Sequence, residues 1–365
     1  AEPYGAFLQA LAATVTAIVP GAEVAAGEID LETEMVGTGP FAVTDHAEDQ
    51  HWIMARHDGY WQTGKPLVDE LVWQIIPDES ARLAALRTGD IQLTAFDNPL
   101  MLDLAQTDTT IAVQEQLTTN SYLMLANAAH PELADARVRQ AISLALDRQQ
   151  LVDVGISGRA TVSGPIPTGF ATYTPPLEEI PFYTRDIDQA KNLLAEAGYA
   201  GGLKTTLMVL PVLTVTVPMS ELMQKQLAEV GIDAEIVQLD LASFVQAWAV
   251  DGSAHLTLLW LAGFSDPYLF LLNFLSNSVG AVVGATGEGL DPLLHQLSAV
   301  VDFDERKAML ADIATQMATD AYFQFIASRN NFVAWRQDLL NGVDLAGADG
   351  YGLPYWHVLE HIDVL

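Results

Sequence analysis

KQLAEVGIDAEIVQLD (Lys225–Asp240) reads as the end of a helix, a stop at Gly231 and a strand. Glycine is the residue that most readily closes a helix in the left-handed conformation, so a helix–Gly–strand phrase marks one α/β step. The same grammar extends in both directions. Upstream, Leu203–Leu210 is a strand, and the helix that follows it begins near Met219. Downstream, Phe244–Val250 is helical and Leu256–Leu261 is an apolar, buried strand. Strands alternating with helices at this spacing predict an α/β fold.

Working outward, Asp186–Ala197 is a helix stopped by Gly198, and Phe303–Asp320 is a further helix with Asp302, Asp304 and Glu305 at its N-terminus. Acids there answer the helix dipole, which explains them without a calcium loop. Asp135 caps a long helix with Val138, Ile142, Ala145 and Leu146 on one face. Earlier strands are predicted at Phe41–Thr44, His51–His57, Glu70–Pro77, Ile91–Phe96 and Thr118–Asn127. A short helix, with Asp78 or Ser80 as cap and Gly89 as stop, separates the third from the fourth. Closing strands fall at Phe332–Arg336 and Trp356–His361, and a long Pro/Gly/Thr-rich loop spans Gly155–Pro181.

The chain has 365 residues, enough for two or more domains. Acidic residues number 47 against 16 basic, five of them lysine, for a net charge of −31. The acids are dispersed, which predicts a solvated, self-repelling surface or adaptation to high salt, and argues against a nucleic-acid partner. With no cysteine, disulfides, thiol nucleophiles and Cys-ligated metals are excluded. No uninterrupted apolar stretch is long enough to span a bilayer. Phe7–Val19 comes nearest, but it is too short, contains Gln9 and stops at Pro20, and no Lys or Arg precedes Arg56 as a signal peptide would require, so it reads as a buried or amphipathic helix.

Five phrases recur in a fixed order: VGTGPF (Val36–Phe41), HDGYWQTGKPLVDELVWQIIPD (His57–Asp78), ARLAALRTGDIQL (Ala81–Leu93), DARVRQAISLALDRQQLV (Asp135–Val152) and WLAGFSDPYLFLLNFLSNS (Trp260–Ser278). Together they resemble the family 5 extracellular solute-binding proteins, the peptide, nickel and oligosaccharide receptors of ABC importers. The resemblance implies a two-lobed periplasmic-binding-protein-like fold (type II, cluster C), with mixed sheets flanked by helices. It implies a lobe of residues 36–127 plus 331–365, a second of 128–330, and 1–35 as the remnant of a small domain whose first part is missing. It implies capture of a solute in an interlobe cleft by hinge closure, without chemistry and without a cofactor. The implied partners are a small solute and the permease subunits, with membrane contact only through the permease or a lipid anchor in the missing segment. The implied location is periplasmic or extracellular.

Trp260 ends an apolar strand just before a glycine-containing loop, an edge where α/β folds bind ligands; the resemblance implies that it packs on the solute. Peptide receptors of this kind carry an aspartate three residues after that tryptophan to pair with the solute's ammonium group. Here the position is Gly263, which turns the expectation toward a modified peptide or an oligosaccharide. Asp266, three residues on, reads as a helix cap instead. Phe264 is a candidate second wall, and Asn120 and Tyr122 are candidates on the preceding extended run. Arg159, Arg185 and Lys204 are cations that could hold a carboxylate, though no spacing singles one out. His46, His51 and His57 lack metal-ligand spacing, so no metal site is predicted, and a nickel-chelate receptor stays an alternative by resemblance alone. No G-x-S-x-G, H-E-x-x-H or P-loop occurs. A hydrolase with dispersed carboxylates is the remaining enzyme reading.

Overall fold

The computed structural model describes residues 4–7, 10, 19–31, 34–211, 215–343 and 359–365. The expected helix at Phe7–Val19 lies mostly outside these residues. Contacts divide the chain into two units: one is centred on Leu117–Asn330, and the other draws on the chain up to Gln116 and from Asn331. The first crossing thus falls well before the Asn127 boundary drawn from the sequence. The reason is that the strand at this crossing runs unbroken from Ile111 to Ala126 and belongs to both units.

In the second of these units, strands β1 (Phe41–Ala47), β2 (His51–Arg56) and β3 (Glu70–Gln74) form an antiparallel meander in the order β1-β2-β3. Helix α1 (Glu79–Thr88) follows, with the Asp78 carboxylate accepting from the Ala81 N–H at 2.7 Å and Gly89 closing it at φ 83°. Strand β4 (Leu93–Phe96) comes next. Leu83 and Leu86 of α1 pack with Phe96, Leu102, Ile111 and Phe332 in a small core.

The central unit holds most of strand β5 (Ile111–Ala126), then β6 (Ala160–Val162), β7 (Leu203–Val209), β8 (Ile232–Gln238), β9 (Leu256–Leu261) and the first part of β10 (Phe323–Arg336). Its strand order is β10-β5-β9-β7-β8, with β6 paired to β10. β5 and β9 are antiparallel, whereas β7 is parallel to both β8 and β9. Side chains alternate across this sheet and both faces are covered. Tyr122, Met124, Leu256 and Leu258 join one core cluster with Val138, Ile142, Met219 and Leu227, while Leu123, Leu125 and Leu259 join the other with Phe270, Phe274 and Ile313. A sheet buried on both faces needs strands apolar on both, which is why LTLLWL carries no polar alternation.

Three elements differ from the sequence reading. The helix after Asp135, α2 (Ala136–Ala145), is buried all round from Val138 to Ala145 rather than along one face. Its polar residues are consumed by carbonyls: Arg139 donates to Asp320 O at 2.7 and 2.9 Å, and Gln140 donates to Thr319 O at 2.7 Å. These carbonyls belong to the last turn of helix α3 (Phe303–Asp320), where backbone oxygens lack intrahelical partners and a cation is favoured. The second difference is β10, of which only Phe332–Arg336 was read as strand; it begins at Phe323. At the far end of the chain, Leu359–His361 is a 3-10 turn and not strand, followed by a short pairing of Asp363–Val364 with Leu340–Asn341.

Candidate functional site

The site grows from one end of the β5–β9 ladder. In the antiparallel register Ser121 faces Leu261 and Tyr122 faces Trp260. Cross-strand partners point to the same side of a sheet, so Tyr122 and Trp260 stand together on one face. Tyr122 is buried, and that burial raises its phenol far above the ordinary range, which leaves it a neutral packing body. Trp260 is only partly buried and packs against the Tyr122 cluster. The Arg329 guanidinium carbon lies 5.6 Å from the Trp260 ring centroid, within cation–π range. Arg329 is placed there by β10, where it sits opposite Ala160 of β6.

The loop after Trp260 is stitched to β5. The Asn120 side-chain oxygen accepts the Gly263 N–H. The Thr119 hydroxyl accepts the Phe264 N–H at 3.0 Å and donates to Phe264 O at 2.9 Å. One turn of loop is thereby held by two adjacent side chains, and a Cβ on residue 263 would strike the Thr119 hydroxyl and come within 2.9 Å of the Asn120 nitrogen. Glycine stands at 263 for want of space, and the ammonium-pairing carboxylate that the resemblance places there has no room on this backbone. Asp266 is committed elsewhere: it caps helix α4 (Pro267–Leu271) through the Tyr268 N–H at 2.8 Å and pairs with buried Arg306 at 2.5 Å.

All five residues singled out from the sequence (Asn120, Tyr122, Trp260, Gly263 and Phe264) therefore lie at this end of the ladder. Tyr122 and Trp260 share a face. Asn120 is spent on the Gly263 backbone, and Phe264 packs toward the opposite cluster, with Leu261. Of the cations considered, Arg185 pairs with Glu229 at 2.9 Å, and Lys204 sits opposite Asp233 at the start of β7, away from Trp260. Arg329 was missed; its only sequence signal is its place in SRNN, beside the Asn330 crossing. The three early histidines are used separately: His51 bonds Asp45 at 2.9 Å, His46 stacks on Trp52 at 3.5 Å, and His57 bonds Gly39 O at 3.1 Å. A small cavity of about 20 Å³ lies between Phe274, Leu290 and Met317.

The model of the bacterial extracellular solute-binding proteins, family 5 (middle), matches residues 1–281, and the chain belongs to that family. It is 30% identical over 285 residues to heme-binding protein A of Haemophilus influenzae, covering 76% of this chain and 51% of that protein. It is 30% identical over 252 residues to the dipeptide-binding protein of Escherichia coli, covering 67% of this chain and 46% of that one. The chain thus spans about half the length of these relatives. Among solved structures it is similar to NikZ from Campylobacter jejuni in complex with Ni(L-His), with a TM-score of 0.82 at 18% identity, over 99% of this chain and 75% of that one. The fold is that of the periplasmic binding proteins, and no described helix is long and apolar enough to cross a membrane.

Proposed function

We propose that this chain serves in an extracytoplasmic receptor of an ABC importer, where it captures a peptide-like solute at the Trp260 end of β5 and β9 and hands it to a membrane permease. The observation that carries this reading is the partly buried Trp260 ring with the Arg329 guanidinium beside it. An aromatic face and a cation together suit a solute with an apolar body and an acidic end, such as a peptide carboxylate. The name of the E. coli relative supports a peptide-like solute. The anchor at the other end is not an ammonium group, because position 263 carries no carboxylate and Asp266 is engaged with Arg306. No nucleophile or metal-activated water is required, so the reading is binding without turnover.

The test is a thermal-shift and calorimetric comparison of short peptides with free or acetylated N-termini and free or amidated C-termini. Free and acetylated peptides stabilise the chain alike, by roughly 2.7 kcal/mol at about 100 times Kd, and C-terminal amidation weakens binding. Trp260→Ala weakens peptide binding by about tenfold or more, the scale of a buried aromatic anchor. A strict requirement for the free amine overturns the reading of the solute's anchor. Binding confined to α- or β-linked oligosaccharides, or to nickel with a small chelator, overturns the peptide assignment.

A further inference from the structure

A second cluster of ligand-bearing side chains sits at the opposite end of the same two strands. His130, Glu132 and His255 each offer one ligand atom, and these atoms lie within 4.8 Å of one another. His255 immediately precedes β9, whereas Trp260 lies roughly 16 Å further along it at the rise of an extended chain. We propose that His130, Glu132 and His255 form a binding site for a divalent transition ion of the zinc class, separate from the solute site.

The scaffold is built around Asn127, where β5 has just ended. Its backbone N–H donates to His255 O at 2.9 Å, and its amide donates to Gly252 O and Ala254 O, each at 3.1 Å. Its side-chain oxygen accepts the Ala129 N–H at 3.0 Å. One residue thus holds the His130–Glu132 turn against the approach to β9. His130 Nε2 lies 3.1 Å from Gly252 O, and a carbonyl only accepts, so Nε2 is the donor in that bond. A ligating histidine commonly has its other nitrogen fixed in this way. His255 Nδ1 lies 2.6 Å from Glu132 Oε1, and the two imidazole centroids are 3.9 Å apart. An ion with bonds of about 2.0–2.1 Å needs ligand atoms roughly 3.3 Å apart, so the His255–Glu132 pair opens by less than about 1 Å as the ion replaces the proton between them. Side-chain exposures of 28% for His255 and 19% for Glu132 leave an entry path and room for water in a fourth position. Two imidazoles with one carboxylate suit zinc, cobalt, nickel or copper, and not magnesium or calcium.

The experiment is calorimetric titration of the whole chain with Zn2+ alone. One equivalent binds, the melting temperature rises by several degrees, and excess Mg2+ does not compete. His255→Ala and His130→Gln each weaken that binding by about a hundredfold, at least the scale seen for disturbing a metal ligand's support, whereas His51→Ala leaves it unchanged. Co2+ in place of Zn2+ gives the intense visible bands of a tetrahedral site, and Glu132→Gln, which keeps the side chain's shape, alters them. Circular dichroism of the metal-free variants separates a lost ligand from a lost fold. Stoichiometric binding that survives in both His255→Ala and His130→Gln, or a wild-type chain that takes up no Zn2+, overturns the proposal.

Discussion

Asp266→Ala destabilises the central unit by about 4 kcal/mol, the largest effect expected from one substitution near the site. Asp266 and Arg306 are 5% and 3% exposed, and their charged atoms meet at 2.5 Å. The same carboxylate oxygen accepts the Tyr268 N–H and starts helix α4. Truncation leaves the guanidinium buried with Val300 O as its remaining hydrogen-bond partner among those described, at 3.2 Å. An uncompensated buried charge costs about 3–5 kcal/mol, and loss of the cap adds on the order of 1 kcal/mol. The two contributions share one carboxylate and do not simply add. Asp266→Asn keeps an acceptor for the cap and falls between wild type and alanine. Adding Arg306→Met to Asp266→Ala recovers much of the loss, because the stranded charge is gone. Chemical denaturation of the four chains checks this. A loss below about 1 kcal/mol for Asp266→Ala would show that water reaches the pair.

Gly263→Asp lowers stability by about 2–3 kcal/mol and gains nothing for peptides with a free amine. Restoring the carboxylate that the family resemblance places here is the obvious way to convert the specificity of the site, and sterics forbid it. The new Cβ meets the Thr119 hydroxyl, the group that holds both the N–H and the carbonyl of Phe264. Relief requires breaking that pair of bonds and the Asn120–Gly263 bond with it. Overpacking of this kind costs about 1–3 kcal/mol. Gly263→Ala shows most of the same loss, since the methyl group and not the charge is at fault. Melting curves and calorimetry with free-amine peptides decide it. An unshifted melt together with tighter binding of the amine would mean that the loop moves aside at little cost.

Much of the secondary structure was legible because local chemistry sets it. Asp78, Asp135 and Asp266, read as caps from the sequence, cap the helices they precede; Asp186 and Asp302 do the same, and each satisfies N–H groups that the helix cannot. Gly89 and Gly231 close helices at positive φ. Strands with two apolar faces, such as β9, announce themselves as short unbroken apolar runs. The first half of β10 did not, because Gln324, Ser328, Arg329 and Asn331 break its pattern. Those polar groups find tertiary partners: Gln324 donates to Arg139 O at 3.4 Å and the Ser328 hydroxyl accepts the Thr168 N–H.

The sequence by itself determined the α/β class, the family resemblance and helix caps such as Asp78, Asp135 and Asp266, since each rests on neighbours in the chain or on an ordered set of phrases. Only the tertiary structure decided that Arg329 stands beside Trp260, that residue 263 has no room for a side chain, and that His130 and Glu132 meet His255. All three depend on the pairing of β5 with its neighbours. Register is a long-range property: a slip of one residue moves every side chain to the other face, and no local pattern in either strand records which residue of the other it will face.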